Sequence, residues 1–347
     1  MMPRTFGLEE EFMLVDPVTL EQRPAAERVL QRLAPVLPPG ISAAHEFLAS
    51  QVEHASPVFS ELSQAADELR AFRARLAVAA SSEGLAVFSA GMPFQTAAYP
   101  TLTDEPRYER VRDRFRAIVA DHQINGLHVH IGVPDRESGV RVLNHVRPWL
   151  PTLLALSGNS PFWRGVDTGF ASWRTIMMQR WVTHGCPPHF ADAADYDRRL
   201  RQLVGIGGTI DVETVAWNAR LSEHYPTVEF RVFDAQLTPE DSVLLAALAR
   251  GLVERALVSE TAAVEPELLN AALWHAARDG LSDRLVLDGV LVPAADAVDA
   301  LLDHVLLSDA DLTHVREGIA RLRAEGTGAD RQRATYAAAG MGGLAAL

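Results

Sequence analysis

The 347-residue chain sets 45 acidic side chains against 32 basic ones, a formal charge of −13, and every basic residue is arginine. An apolar fraction of 48% supplies a core and argues against disorder, while the acidic excess disfavours nucleic acid or an anionic membrane as a partner. Without lysine, a lysine-tipped phosphate loop, a protein-kinase strand lysine and Schiff-base chemistry are excluded, so phosphate handling would fall to arginine and metal ions.

The chain reaches Glu9-Glu10-Glu11 before any apolar leader forms, and its single cysteine, Cys186, fits a reducing cytoplasm. No uncharged run approaches the roughly eighteen residues of a spanning helix. Residues 5–15 alternate as a strand, with Phe6, Leu8, Phe12 and Leu14 on one face and Gly7, Glu9, Glu11 and Met13 on the other. Glu9 and Glu11 therefore share a spot, which suits either a bound cation or a solvated strand face. Glu46, Gln51 and Glu53 follow; the last two share a face if the segment is extended. Residues 61–80 carry a helical stripe (Leu62, Ala66, Leu69, Phe72, Leu76), and residues 105–121 also read as helical.

Gly126-Leu127-His128-Val129-His130-Ile131-Gly132 is a short strand that presents two imidazoles on one face. They are metal ligands or a hydrogen-bonded pair. Gly205-Ile206-Gly207-Gly208 reads as a turn rather than a phosphate fingerprint, and Cys186 lies in a loop without a nucleophile signature. Residues 227–233 form the clearest strand, with Val228, Phe230 and Val232 on one face and Glu229, Arg231 and Phe233 on the other. Glu229 and Arg231 make either an ion pair or a metal ligand beside a phosphate-binding arginine. Thr238 caps the next helix, with Pro239 at its first position. The chain is expected to be one catalytic domain, 1–347, mostly helical from about 262. Because the strands are not each followed by a helix, the pattern favours α+β over a doubly wound sheet.

Five segments together resemble the bacterial type 2 glutamate–cysteine ligases, including the YbdK-type carboxylate–amine ligases. They are the run from Thr5 to Pro17, Ser50-Gln51-Val52-Glu53, Gly126 to Glu137, Asn159 to Trp163 with Asp167 to Arg174, and Tyr225 to Asp234. The resemblance implies a glutamine-synthetase-like domain, a curved antiparallel sheet forming a funnel flanked by helices. It implies an ATP-dependent ligase that makes an amide, γ-glutamyl-type, bond through an acyl phosphate, with Mg²⁺ (or Mn²⁺) as cofactor. Carried over by position, Glu11, Glu46 and Glu53 would hold one ion, and Glu9, His128 and Glu229 the other. His130 would lie against the phosphates or substrate, Arg231 would steady the transferring phosphoryl group, and Arg174 and Arg180 would hold the substrate carboxylate. Small-molecule acid and amine partners, a cytoplasmic homodimer, and no role for nucleic acid or membrane complete the expectation. Asn125 and Asn218 depart from the family pattern on the substrate side, so which acid and amine are joined stays open. A metal-dependent amidohydrolase, which would place His-x-His near the first strand of a regular βα array, and a non-catalytic small-molecule-binding protein are the alternatives.

Overall fold

A computed structural model describes residues 4–259 and 264–347; the expected start of the helical part, near 262, lies outside the described residues. Eleven short and long strands are described: β1 (Phe6–Val15), β2 (Ser42–His45), β3 (Gln51–Ala55), β4 (Ala86–Phe88), β5 (Gly126–Gly132), β6 (Phe162–Trp163), β7 (Val166–Asp167), β8 (Ala219–Leu221), β9 (Thr227–Asp234), β10 (Arg284–Leu287) and β11 (Val290–Pro293). Seven of them form one antiparallel sheet in the order β2-β3-β1-β5-β9-β8, with β4 also paired to β1. β6–β7 and β10–β11 are separate two-stranded pieces.

The sheet's apolar face packs into the main core. Leu8, Leu127, Val129, Ile131, Val228 and Phe230 meet Leu62 and Leu69 of the helix Leu62–Ser81, and Val243, Leu244 and Leu248 of the helix Pro239–Ala256. Thr238 caps the latter as expected, its side chain accepting from Asp241 N. One charge sits on this apolar face. Glu10 is 2% exposed, yet it accepts from Arg73 Nη2 (2.6 Å), Arg73 Nε (3.1 Å) and Ser242 Oγ (2.6 Å), so both its oxygens are satisfied.

β9 breaks the expected alternation. Leu127 pairs with Phe233 and Val129 with Phe230, so Arg231 and Val232 together oppose His128 alone. Such a bulge inverts the facing of everything beyond it. Phe233, expected beside Glu229 and Arg231, instead enters the core with Phe230, ring centroids 6.4 Å apart. Beyond residue 264 the chain is helical except for the β10–β11 hairpin, which the periodicity did not reveal.

Candidate active site

Strand register assembles the polar face. Glu11 pairs with Glu53 across β1–β3, Glu9 with His128 across β1–β5, and His130 with Glu229 across β5–β9. Glu46 arrives from the connection between β2 and β3. His128 is the hub: its Nδ1 lies 3.2 Å from Glu9 Oε2 and 3.9 Å from Glu229 Oε1, and its Nε2 lies 3.8 Å from Glu11 Oε1. His130 places Nε2 3.3 Å from Glu9 and Nδ1 3.0 Å from Thr227 Oγ1. Glu229 is gripped by Arg220 (Nε to Oε2 2.7 Å) and touches Arg231. These side chains line an open cavity of about 340 Å³, closed on one side by Arg107 and Tyr108 from the helix Pro106–Phe115.

The carboxylates divide electrostatically. Burial works against ionisation of Glu9, but its hydrogen bonds with His128 and His130 prevail and hold it well below the usual range. Burial likewise opposes ionisation of Glu229, and the Arg231 and Arg220 guanidiniums more than offset it. Across the cavity the sign is opposite. Burial and the charge of Glu46 push Glu11 up to about 8 and raise Glu53 well above its ordinary value, and burial raises Glu46. Burial also drives His128 down to about 4, which leaves a neutral imidazole able to donate a lone pair.

Two sets of ligand atoms each lie within 4.8 Å of one another: Glu9, His128 and Glu229, and Glu11, Glu53 and His128. Buried carboxylates crowded around a neutral imidazole hold either a proton or a cation between them, and hard oxygens with the single shared imidazole of His128 suit Mg²⁺ or Mn²⁺. The donor set therefore fits a pair of divalent ions. Glu46 lines the same cavity but stands outside both triads.

The two arginines assigned to substrate sit apart from this cavity. Arg174, in the helix Trp173–Met178, is 4% exposed; its Nη1 lies 3.8 Å from buried Asp234 Oδ1, its Nη2 donates to Arg231 O at 3.3 Å, and its buried Nε meets no hydrogen-bond partner. Gly126 allows it to lie there, since a Cβ at that position would stand 2.8 Å from Arg174 Nη2 and 3.2 Å from His128 Nε2. Arg180 pairs with Asp121 at 2.9 Å and is a third exposed. Gln51 is structural, donating to Ile124 O at 2.6 Å. Cys186 is buried, and burial pushes its thiol up to about 11, which suits an inert packing residue. Arg220, Arg107 and Tyr108 were not anticipated. Arg220 stands directly opposite Glu229 in the β8–β9 register, a pairing that no local sequence pattern signals.

A family model described as glutamate–cysteine ligase family 2 matches residues 5–345. The chain belongs to this family. A relative from Saccharopolyspora erythraea, whose name of glutamate–cysteine ligase 2-2 is provisional, is 42% identical over 97% of this chain and 89% of its own. One from Salinispora arenicola, provisionally glutamate–cysteine ligase 2, is 42% identical over 95% of this chain and 89% of its own. Among solved structures, a glutamate–cysteine ligase from Francisella tularensis in complex with AMP superposes with a TM-score of 0.77 at 13% identity, covering 99% of this chain and 87% of that one. At that identity the likeness shows a shared fold. The antiparallel sheet, with His-x-His on its fourth strand in spatial order, also removes the regular βα array that an amidohydrolase reading required.

Proposed function

We propose that this protein is an ATP-dependent carboxylate–amine ligase that forms an amide through an acyl phosphate. The observation that carries the reading is the pair of carboxylate–imidazole triads sharing His128, with Arg231 beside them in one open cavity. A carboxylate oxygen of the donor acid attacks the γ-phosphorus of ATP and ADP leaves. The amine then attacks the acyl carbon, inorganic phosphate leaves, and the amine gives up a proton.

Glu9, His128 and Glu229 would hold one Mg²⁺ or Mn²⁺, and Glu11, Glu53 and the nearby Glu46 the other. Bound there, the ions neutralise phosphate charge, the main requirement of phosphoryl transfer. Arg231, fixed by Glu229, presents its guanidinium to the transferring phosphoryl group. His130, oriented by Thr227, faces the same space and positions phosphate or substrate. Arg174, paired with Asp234 but with an unpartnered Nε, is the substrate-carboxylate candidate, and Arg180 takes that role only by leaving Asp121. The whole chain, 1–347, acts as one catalytic unit in this reading. The relatives' names make glutamate and cysteine the first pair to test. The resemblance also carries a cytoplasmic homodimer, read by light scattering and cell fractionation; among the described residues no helix is long and apolar enough to cross a membrane.

The test is an ADP-release screen over pairs of carboxylic acids and amines with Mg²⁺ or Mn²⁺, products read by mass. Release that requires both an acid and a divalent ion, with a condensed product, is expected. Its absence for every pair would overturn the reading.

A further inference from the structure

Asp234, the last residue of β9, is fully buried, and its carboxylate has no part in the chemistry described above. The bulge puts it where it is. With Phe233 turned into the core, the next side chain points to the opposite face, the one that carries Glu229 and Arg231. There Asp234 Oδ2 accepts from Asn159 N (2.9 Å) and Ser160 Oγ (2.7 Å), while Oδ1 accepts from Ser172 Oγ (2.9 Å) and lies 3.8 Å from Arg174 Nη1. The same two hydroxyls serve Arg174. Ser160 Oγ accepts from Arg174 N at 3.1 Å, and Ser172 caps the helix that carries Arg174. Glycine makes room on each side: a Cβ on Gly91 would stand 2.6 Å from Asp234 Cγ, and one on Gly126 would stand 2.8 Å from Arg174 Nη2. The clamp is anchored in turn, since Asn159 Nδ2 donates to Ser89 O and Ala235 O, and Gln332 Nε2 donates to Asn159 O. A buried carboxylate satisfied in this way is held rigidly.

We infer that Asp234 is a positioning residue for the ligase reaction: through Arg174 it fixes the β9 bulge from which Arg231 reaches the transferring phosphoryl group. The inference rests on the ligase reading and deepens it. A buried ion pair often adds little stability over apolar packing of the same shape, so stability alone is a weak reason for this one. Its geometry offers a better reason. Arg174 Nη2 donates to Arg231 O at 3.3 Å, within the bulge itself. A bulge disrupts the ladder locally and re-aims a side chain, so the direction of Arg231 follows from how the backbone is held there. Glu229 holds the tip of Arg231, and Arg174 holds its root. Asp234 and Arg231 O engage only Nη1 and Nη2, which leaves Arg174 Nε for a substrate carboxylate.

The test uses the full-length protein with Mg²⁺ and two readouts. One is ADP release from ATP with L-glutamate and L-cysteine. The other is the calorimetric affinity for AMP-PNP relative to ADP, which reads the contact of Arg231 with a γ-phosphate without turnover. Asp234→Asn keeps the shape and removes the charge that holds Arg174. We expect kcat to fall about 10–100-fold, with KM for L-glutamate within about threefold of the wild type and the AMP-PNP-to-ADP affinity ratio reduced by about threefold or more. The double variant Asp234→Asn, Arg174→Met should be no slower than Arg174→Met alone, because Asp234 acts through Arg174. Ser172→Ala removes one hydrogen bond from the carboxylate and leaves the charges paired; it should lower kcat by about fivefold, and it carries the test where Asp234→Asn does not fold. Wild-type kcat and affinity ratio in the folded variant, losses that multiply in the double variant, or a loss carried by KM for L-glutamate alone each overturn the assignment. So does a wild-type protein with no preference for AMP-PNP. A wild-type preference for AMP-PNP that Asp234→Asn abolishes, without turnover of any acid–amine pair, would sink the ligase reading and leave the clamp on Arg231 standing.

Discussion

β1 carries three consecutive glutamates, and its two faces treat them in opposite ways. Glu10 points into the apolar layer, where Arg73 and Ser242 satisfy both oxygens. Glu9 and Glu11 point into the cavity. Glu9 finds two histidines, while Glu11 has one backbone donor, Gly126 N at 2.7 Å, and repulsive carboxylate neighbours. Residue type and burial alone do not separate these roles, since Glu10 and Glu11 are 2% and 7% exposed. Completeness of partners does. A buried charge whose partners are all protein belongs to the fold, and one left among like charges waits for a cation.

Breaking the cavity side should give the largest effect. Glu229→Gln removes a charge from a triad while keeping its shape, and ATP turnover should fall by on the order of 10³-fold or more, several kcal/mol of transition-state stabilisation. Thermal unfolding should stay cooperative, and near-wild-type ADP release would sink the metal assignment. Arg231→Lys keeps the charge but loses the planar fork, so a fall of roughly 10²–10³-fold is expected in steady-state kinetics. A silent substitution would make Arg231 a structural partner of Glu229.

Breaking the packed side should affect stability instead. Arg73→Met leaves Glu10 buried without its cation, which costs about 3 kcal/mol when one partner of such a pair is lost. Urea unfolding reads this, and Mn²⁺ affinity serves as the control. A stable Arg73→Met protein with weakened Mn²⁺ binding would mean that the two faces of β1 are not independent.

Much of the cavity side was legible because strands impose a period of two. Glu9 and Glu11, His128 and His130, and Glu229 and Arg231 each announced a shared face before any pairing was known. Pairing itself was not legible: Arg220 is a lone arginine in the sequence and becomes a Glu229 partner only through the β8–β9 register. The bulge at Arg231–Val232 is equally hidden, because it is defined by what lies opposite, so strict alternation puts Phe233 on the wrong face. Glu10 looked like an exception to an apolar stripe, since its cation comes from a helix 63 residues away.

The comparison also has a pH signature, the smallest effect and the most specific. Burial and Glu46 raise the folded pKa of Glu11 from its ordinary 4.5 to about 8. A raised pKa means that the folded state holds the proton more tightly. Its stabilising contribution is therefore complete below about 4.5 and is lost as pH rises through about 8. Between about pH 7 and 8 the buried histidines are silent, because His122 and His184, both held near 3, are neutral in folded and unfolded chains alike. Protein stripped of divalent ions should thus lose roughly 1 kcal/mol of stability across that interval from Glu11, the raised Glu53 and Glu46 adding to the loss with the same sign, and Glu11→Gln should lessen the slope. Saturating Mn²⁺ should reverse the sign, since the ion binds only the deprotonated carboxylates and binds them more tightly as pH rises. Chemical denaturation at both pH values, with EDTA and with Mn²⁺, reads all four stabilities. A slope unchanged by Glu11→Gln and by Mn²⁺ would show that the crowded carboxylates of the cavity face are as fully partnered as Glu10.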